Sequence, residues 1–388
     1  GFYARSGTGA HGWIEPHSNS YRKVTKDDMA TWSKLINHLD EISFLPFLYA
    51  DDVPVQTADI YGLHTLFSNS DKHIWVQPYS IDSISYLLNM AEVIAGSPDN
   101  LRSNPVISMI ACSLTPRTVK SMDIEIIIQA ARASVPIHAC SLPGAGGTAP
   151  ATLPGVILLA TAEILALVAM AQAVSPGAPV VACPIIFSTD MRTGRSLQSN
   201  VDTLRGASGA VQFIKAAFNL PTHNYGSGTD AAHVGGQSQA ERSMLTTLMA
   251  LSGSDILGGA GQLEVATTVS PLQLIIDNEV LAMARHLVAG ITLDEDQLAW
   301  DVLTQTDPGQ HFLMSEHTLK HCRDGYTPTL FSSMTRDAWE REGQKRLMEN
   351  SLATFETLLA RENSCRLTGD KAAALDAICR EADSALVD

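Results

Sequence analysis

The fold is decided by the stretch Val106–Cys140, VISMIACSLTPRTVKSMDIEIIIQAARASVPIHAC. It begins with an apolar, β-branched run, Val106–Cys112, and ends with a second such run, Val135–Cys140. Between them, Ser121–Ala133 has the apolar spacing of an amphipathic helix and ends before Pro136. A strand, a helix and a second strand make a βαβ unit, so this stretch predicts two neighbouring parallel strands.

The same alternation continues on both sides of this unit. Six further runs have the composition of short strands: Phe2–Ser6, Ser43–Tyr49, His73–Tyr79, Pro179–Ile185, Thr222–Tyr225 and Asp255–Ala260. Eight strands, each followed by a helical pattern, predict an α/β fold of the (β/α)₈ TIM-barrel type, with a catalytic domain over residues 1–290. Residues 291–388 lack strand signals and predict a C-terminal helical extension packed on the barrel. Its expected helices are Asp294–Leu303, Ser315–Cys322, Arg336–Ala360 and Lys371–Ala385.

Composition and charge exclude several classes of partner. The chain has 388 residues, 45% of them hydrophobic, which is enough for one large core. A formal charge of −15 repels nucleic acid and anionic lipid, and we find no basic patch that would offset it. The six cysteines form no C-x-x-C pair, which is typical of buried thiols in a reducing cytoplasm. We therefore expect a cytoplasmic protein that binds neither nucleic acid nor membrane.

One segment, Leu153–Val174, is apolar enough to span a membrane. It contains Glu163 and Gln172, so we expect a helix buried against the barrel or against a neighbouring subunit of a homo-oligomer. The chain starts at Gly1 without the features of a signal peptide, and we expect its N-terminus to be truncated or trimmed.

In a barrel of this type, chemistry lies at the carboxyl ends of the strands. No lysine is placed there, which excludes a Schiff-base aldolase. His223, Asp230 and Glu264 could together hold a metal ion, but no H-x-H or H-E-x-x-H spacing supports one, so we expect none. The structural alternatives are His223 hydrogen-bonded to a neighbouring loop and Glu264 capping the helix that begins near Ser270.

Aromatic residues and glycine-rich loops also fall at these strand ends. Four aromatic rings could hold a quaternary ammonium group at the mouth of the barrel, although core packing is the alternative for each: Tyr49, Tyr79, Phe187 and Tyr225. Three loops are rich in glycine, which suggests that a large, flat group approaches the backbone closely, the alternative being crowded turns. The glycines of interest are Gly144, Gly146, Gly147, Gly226, Gly228 and Gly259.

A combined signature lies in four segments: Pro143–Gly155, Asn219–Ala231, Gly258–Glu264 and Leu274–Glu279. It resembles the trimethylamine methyltransferase family, in particular its branch of members without pyrrolysine that act on betaines. A fainter likeness at His311–Arg323 and Trp339–Ala360 extends the resemblance over most of the chain.

The resemblance implies a methyltransferase that moves a methyl group from a quaternary amine, with glycine betaine favoured, to the Co(I) of a corrinoid. In the trimethylamine enzymes a pyrrolysine lies near the loop aligned with Tyr225–Asp230. Every residue here is a standard one, so tertiary amines are the less favoured donors. Asp71–Val76 has only half of the D-x-H-x-x-G motif of cobalamin-binding domains, with Val76 in place of glycine. We therefore expect a small corrinoid protein as partner and no tightly bound cofactor in this chain.

The chemistry of such a reaction needs few titratable groups. A quaternary ammonium releases a neutral tertiary amine, so no general acid is required, and the enzyme mainly positions and desolvates the donor. We expect catalytic roles for His223, Tyr225, Asp230 and Glu264. The expected substrate-binding residues are Tyr49, Tyr79, Phe187, Asp190, Arg192 and Gln262, and the expected corrinoid-binding positions are the six glycines.

Three of these residues, Asp190, Arg192 and His223, have alternative assignments. Arg192, His223 or the N–H groups of the glycine loops could receive the carboxylate of a betaine. Asp190 and Arg192 could instead pair with each other on the surface. Two other functions stay open from the sequence: a barrel lyase or metal-assisted hydrolase using His223, Asp230 and Glu264, and a non-catalytic binder of quaternary amines.

Overall fold

Eight parallel strands surround a common axis in the computed structural model, which describes residues 1–363, 365 and 367–387. They are β1 (Tyr3–Ser6), β2 (Phe44–Pro46), β3 (His73–Val76), β4 (Ile107–Leu114), β5 (Ile137–Ser141), β6 (Val180–Pro184), β7 (His223–Tyr225) and β8 (Ile256–Ala260). Each overlaps one of the eight predicted runs, so the predicted (β/α)₈ barrel is confirmed.

The hydrogen-bonding order of the strands is β6-β5-β4-β3-β2-β1-β8-β7. A bridge between Ala182 and Thr222 brings β6 beside β7 and closes the ring. The register places three cysteines side by side, because Cys140 pairs with Cys112 on one side and with Cys183 on the other. Their side chains therefore lie at one height near the carboxyl ends of β4, β5 and β6.

A helix follows each strand and packs on the outside of the barrel. These helices are α1 (Lys26–Asn37), α2 (Ala58–Asn69), α3 (Ser83–Ala95), α4 (Ser121–Ala133), α5 (Leu153–Val174), α6 (Val201–Phe218), α7 (Gly236–Leu251) and α8 (Pro271–Val288). A capping box opens α1, since the Thr25 side chain accepts from Asp28 N and the Asp28 side chain accepts from Thr25 N. A 3₁₀ turn at Val55–Thr57 and a short helix at Pro98–Ser103 complete the ring.

Helix α5 is long and apolar enough to cross a membrane by length and composition. Its inner face, including Ile164 and Leu167, is buried in the apolar layer that covers the strands. Its one acidic residue, Glu163, is buried and accepts hydrogen bonds from the hydroxyls of Ser113 (2.6 Å) and Ser141 (2.6 Å) at the ends of β4 and β5. Helix α5 is thus an element of the barrel, and its place there accounts for its buried apolar face.

The segment after α8 is helical. It contains short helices at Glu295–Leu298, Trp300–Gln305, Glu316–His321 and Arg336–Arg341, followed by α9 (Leu347–Ala360) and α10 (Gly369–Leu386). The single helix predicted at Arg336–Ala360 is wrong, because positive φ angles at Gly343 (87°) and Gln344 (57°) interrupt it. Likewise Ala299, at φ 48°, divides the helix predicted at Asp294–Leu303.

Helices α9 and α10 contribute Phe355, Leu358 and Leu375 to the same apolar core as the barrel helices. The division into domains at residue 290 therefore stays a prediction.

Loops at the carboxyl ends of the strands form two small sheets. One consists of Gly144–Ala145, Phe187–Thr189 and Ser196–Leu197. The other consists of Gly12–Ile14, Tyr21–Lys23, Gln262–Leu263 and Thr268–Val269. A further short strand, Thr118–Val119, pairs with the end of β4. These additions cover the end of the barrel at which a TIM barrel carries its chemistry.

The two largest of the three apolar clusters among the described residues form separate cores. The larger one lies between strands and helices and consists mainly of Leu, Ile, Val and Ala side chains. The smaller one fills the inside of the barrel, here called the lumen, with Phe44, Trp75, Ile110, Cys140, Cys183 and Ile185. Several polar side chains share the lumen with this smaller core, and they form the site described next.

Candidate active site

A small pocket of about 100 Å³ lies at the carboxyl end of the lumen. Its lining residues come from six strands and the loops after them: Arg5, Thr8, Trp75, Gln77, Ile110, Cys112, Cys140, Leu142, Cys183, Ile185, His223 and Tyr225. Leu142 is 37% exposed, so the pocket reaches the surface. A small molecule could therefore enter it while a larger reactant approaches from outside.

Arg5 extends from β1 into this pocket and is 2% exposed. Its Nε donates to Nε2 of His223 (3.1 Å), and its Nη1 donates to the carbonyl of Ser6 (2.8 Å). The guanidinium carbon lies 4.6 Å from the ring centre of Trp75, which is cation–π geometry. A Cβ at Gly258 would lie 2.5 Å from Arg5 Nη2, so this glycine on β8 leaves the room that the guanidinium occupies.

The charge of Arg5 has no counter-charge in the described part of the chain. Among the residues that the structure describes, no Asp or Glu forms an ion pair with it. Burial lowers the pKa of Arg5, while the neighbouring Tyr225 hydroxyl and the Cys183 and Cys140 thiols raise it. An arginine stays protonated in proteins, and a buried cation is costly unless an anion reaches it. The pocket is therefore suited to an anionic group.

A chain of hydrogen bonds continues from Arg5 through the lumen. Nδ1 of His223 lies 3.0 Å from Nδ1 of His138, and Nε2 of His138 lies 3.1 Å from Oγ of Ser108. The same hydroxyl lies 3.0 Å from Nε2 of His73, whose Nδ1 lies 3.2 Å from the carbonyl oxygen of Pro105. The chain thus joins the pocket to the start of β3 and β4 at the opposite end of the barrel.

All three imidazoles of this chain are neutral. Burial lowers the pKa of His138 to about 3, with His73 and Arg5 acting in the same direction. Burial, followed by Arg5 and His138, holds the pKa of His223 well below its usual range. Burial also lowers the pKa of His73. Arg5 is consequently the one full charge among the residues that line the pocket.

The three cysteines in register form one wall of the pocket. Burial raises the pKa of Cys140, and a hydrogen bond from Cys140 together with burial raises that of Cys112. Cys112 and Cys140 are therefore neutral thiols in the wall beside the guanidinium.

Three potential metal ligands also meet here, since atoms of His138, Cys183 and His223 lie within 4.8 Å of one another. The hydrogen bond from Arg5 requires the lone pair of His223 to be on Nε2. Its Nδ1 then carries the hydrogen and has no lone pair for a metal. The arrangement therefore gives no support to metal-assisted hydrolysis.

The structure brings some of the predicted site residues together. His223 and Tyr225 both line the pocket, and Gln262 lies near the Tyr225 hydroxyl. Phe187 meets Tyr225 edge to face, with ring centres 6.4 Å apart. Phe187 also lines a neighbouring groove of about 530 Å³ between the loops after β5 and β6.

The two predicted catalytic carboxylates lie outside the pocket lining. Asp230 accepts from the backbone N–H groups of Gln198 (2.7 Å) and Ser199 (3.2 Å), which joins the loop after β7 to the loop after β6. Glu264 accepts from the hydroxyls of Thr267 (3.3 Å) and Thr268 (3.4 Å). The cap of α8 is Ser270 and not Glu264. These contacts hold the loops in place, and they do not bring Asp230 and Glu264 together with His223 as a lyase or hydrolase site would require.

Four other residues predicted to bind the substrate make their contacts outside the pocket lining. Tyr49 and Tyr79 stack on each other with ring centres 4.8 Å apart, and His11 stacks on Tyr49 at 4.4 Å. Asp190 accepts from Arg192 Nε at 3.3 Å, and the Arg192 side chain is 90% exposed. The surface pairing foreseen as an alternative for these two residues is what the structure contains.

Several of the predicted corrinoid-binding glycines are required by internal packing. A Cβ would lie 2.5 Å from Leu257 at Gly226, 2.5 Å from Gln198 at Gly228 and 2.6 Å from Gln262 at Gly259, where φ is +100°. A Cβ at Gly147 would lie 3.0 Å from Thr189 Oγ1. A Cβ at Gly146 would lie 3.2 Å from Met191 Sδ. The backbone at Gly144 and Gly146 is therefore less crowded by side chains than at the other four glycines.

Sequence reasoning missed Arg5, Trp75 and the three pocket cysteines. One signal was present, because Arg5 is a charged residue inside a predicted strand. A second was that Cys112, Cys140 and Cys183 occupy matching places near the ends of three successive strand runs. His138 and Ser108 gave no signal, since single polar residues inside apolar runs are also common in ordinary cores.

A barrel with a buried, charged pocket at the carboxyl ends of its strands defines an α/β-barrel enzyme. Comparison with known proteins narrows this class. Residues 6–385 match the family described as "Trimethylamine methyltransferase (MTTB)". The chain is 28% identical over 333 residues to trimethylamine methyltransferase MttB of Desulfitobacterium hafniense, covering 86% of this chain and 67% of the relative.

Two further proteins are similar. Glycine betaine methyltransferase of Desulfitobacterium hafniense is 30% identical over 328 residues, covering 83% of this chain and 68% of the relative. The solved structure titled "Crystal structure of the hydroxylamine MtmB complex" superposes with a TM-score of 0.50 at 14% identity, covering 92% of this chain and 73% of that one. At this identity the superposition supports the fold alone.

The chain belongs to the trimethylamine methyltransferase family. It is a methyltransferase, and its activity is corrinoid-dependent methyl transfer from an amine.

Proposed function

We propose that the donor is a quaternary amine carrying a carboxylate, with glycine betaine favoured, and that the acceptor is the Co(I) of a corrinoid on a small partner protein. The observation that carries this proposal is Arg5, a buried cation that faces the pocket without an acidic partner in the described part of the chain. Trimethylamine has no group that would balance this charge. A betaine brings a carboxylate, which a guanidinium binds through two parallel hydrogen bonds.

The rest of the pocket suits the cationic end of such a donor. The Tyr225 ring, with Phe187 behind it, offers an aromatic face, and the thiol wall adds no positive charge. With the carboxylate on Arg5, the N-methyl groups would extend toward the open side of the pocket near Leu142. The size of the pocket, about 100 Å³, fits a donor as small as glycine betaine.

No proton donor is needed for the chemistry. When docked, the Co(I) of the corrinoid supplies the nucleophile, and the electron pair of the broken C–N bond leaves with the amine nitrogen. The leaving group is a neutral tertiary amine, so the protein's part is to orient the donor and to exclude water. The neutral state of His223 agrees with this requirement, because an imidazolium there would add a second positive charge.

The pocket is compatible with an acceptor that arrives from outside. It reaches the surface at Leu142, and the groove beside Phe187 adjoins it. Gly144 and Gly146 border that side of the barrel mouth, and they are the predicted glycines at which a flat group would have room. A cytoplasmic location and a homo-oligomeric state stay predictions.

The test is incubation of the protein with cob(I)alamin and a panel of donors, following methylcobalamin by its absorbance. We expect methylcobalamin and dimethylglycine from glycine betaine, and little product from trimethylamine or tetramethylammonium. Efficient methyl transfer from trimethylamine, together with none from any betaine, would contradict the proposal.

A further inference from the structure

The hydrogen-bond chain below Arg5 has only one possible direction. At one end the Pro105 carbonyl can only accept, so Nδ1 of His73 must donate to it and Nε2 of His73 must accept from Ser108. At the other end Arg5 can only donate, so Nε2 of His223 must accept. A donor-only group and an acceptor-only group thus fix the polarity of everything between them.

The remaining members follow from these two ends. With Nε2 of His223 as acceptor, its Nδ1 carries the hydrogen and donates to Nδ1 of His138. His138 must then carry its own hydrogen on Nε2 and donate to Oγ of Ser108, whose hydroxyl hydrogen points to His73. Every donor has one acceptor, and each imidazole is held in one neutral tautomer.

This order leaves little freedom. A second proton on His138 would place two N–H groups face to face at 3.0 Å, and one on His223 would face the Nε–H of Arg5 at 3.1 Å. Only Ser108 can rotate its hydrogen to adjust. The orientation of Arg5 therefore depends on groups at the far end of the barrel, because a change of tautomer at His138 would pass to His223 and displace the guanidinium.

We propose that Ser108, His138 and His73 are positioning residues that hold His223 in its Nδ1–H tautomer and so aim Arg5 at the carboxylate of the methyl donor. This inference rests on the proposed function, since it needs a donor with a carboxylate. None of the three residues lines the pocket, so none can touch the donor itself. Their effect on binding passes through His223 and Arg5 alone.

The first test is independent of any substrate. With ¹⁵N-labelled histidine, NMR of the ligand-free protein should show His223 and His73 protonated at Nδ1, His138 protonated at Nε2, and all three neutral at pH 7. An imidazolium at any of these positions, or the opposite tautomer at His223, would overturn the inference. Ser108→Ala should change the tautomer signals of His138 and His223.

The second test measures selectivity. The calorimetric Kd of glycine betaine and of tetramethylammonium is compared for the wild type, Ser108→Ala and Ser108→Thr, with Ser33→Ala as control. Ser33 is a buried hydroxyl on α1, outside the lumen. We expect Ser108→Ala to weaken glycine betaine about ten-fold, which corresponds to one charge-assisted hydrogen bond. Tetramethylammonium should be unaffected, and Ser108→Thr, which keeps the hydroxyl, should restore binding.

The outcomes separate the two proposals. If the wild type prefers glycine betaine and Ser108→Ala keeps that preference, the positioning role is wrong while the donor class stands. An equal loss for both ligands would indicate a general packing defect and would also overturn the positioning role. If the wild type shows no preference for glycine betaine, the proposed donor class fails, and the positioning role fails with it.

Discussion

Two arginines are almost completely buried among the residues that the structure describes, and they differ in what surrounds them. Arg242 on α7 is paired with Asp277 on α8, and the same carboxylate accepts from the backbone N–H of Gly261 (2.6 Å). Arg5 in the lumen has a histidine, a carbonyl and an aromatic face, but no carboxylate among the described residues. Both are in the low-dielectric interior, where an unpaired charge is unfavourable.

This difference in surroundings indicates which of the two arginines stabilises the fold. The pair formed by Arg242 and Asp277 is closed, because each residue supplies the counter-charge of the other within the protein. Burial of the Arg5 charge without a counter-ion is unfavourable for folding, and such a residue is expected where a ligand completes the interaction. The outer core, made of apolar side chains, supplies the stability that the polar lumen does not.

The largest effect should come from breaking the closed pair. Arg242→Met leaves Asp277 buried without its counter-charge, and burial already raises the pKa of that carboxyl to about 6. We expect a loss of about 3–5 kcal/mol in the free energy of unfolding, measured by urea denaturation. The double variant Arg242→Met with Asp277→Leu should recover more than half of it, and no recovery would contradict the pairing as the cause.

Arg5→Met should have a much smaller effect on stability than Arg242→Met. It removes a buried cation and leaves no buried carboxylate behind, so the free energy of unfolding should change by less than about 1.5 kcal/mol. The same denaturation experiment measures it. A loss as large as that of Arg242→Met would mean that Arg5 is a structural residue, and the contrast between the two arginines would disappear.

Because the imidazoles in the lumen are neutral, the stability of the folded protein depends on pH. The pKa of His138 is about 3 in the folded chain against an ordinary value of 6.5, so between these values the unfolded chain binds a proton that the folded chain excludes. Stability therefore falls as the pH decreases from 6.5, by up to about 1.4 kcal/mol per pH unit for this one group. His138→Asn should flatten the dependence between about pH 6 and 4. An unchanged slope would contradict a neutral, buried His138.

The smallest effect concerns the Tyr225 hydroxyl. Tyr225→Phe keeps the aromatic face but removes the hydroxyl that lies beside Arg5 and Gln262 and interacts with the guanidinium. We expect the KM for glycine betaine to rise about three- to five-fold, the effect of one neutral hydrogen bond, with little change in kcat. A large fall in kcat at constant KM would assign the hydroxyl to the chemical step.

The sequence was sufficient to predict the barrel because each strand is a short apolar run followed by a helical pattern. Strand ends were less certain: the run His73–Tyr79 continues past β3, which ends at Val76, because an aromatic loop residue such as Tyr79 has the same sequence signature as a strand residue such as Trp75. The break at Gly343 was missed because one glycine in a helical pattern does not reveal its φ angle.

The site was predicted less well than the fold. His223 and Tyr225 were found because they stand at a strand end. Asp230 and Glu264 share that position, yet their carboxylates accept hydrogen bonds from neighbouring loops. Arg5 was missed because its proposed role depends on the absence of an acidic partner among the described residues. Only the folded structure reveals that absence.

The central claim is that Arg5 receives the carboxylate of the methyl donor. The most direct measurement is kcat/KM with glycine betaine and with tetramethylammonium, for the wild type and Arg5→Gln, using cob(I)alamin as acceptor. The surface variant Arg132→Gln on α4 serves as control. We expect Arg5→Gln to lower kcat/KM for glycine betaine about 100-fold, as for the loss of a bidentate charged contact, and to leave tetramethylammonium within about three-fold. Retention of the wild-type preference for glycine betaine in Arg5→Gln would contradict the account.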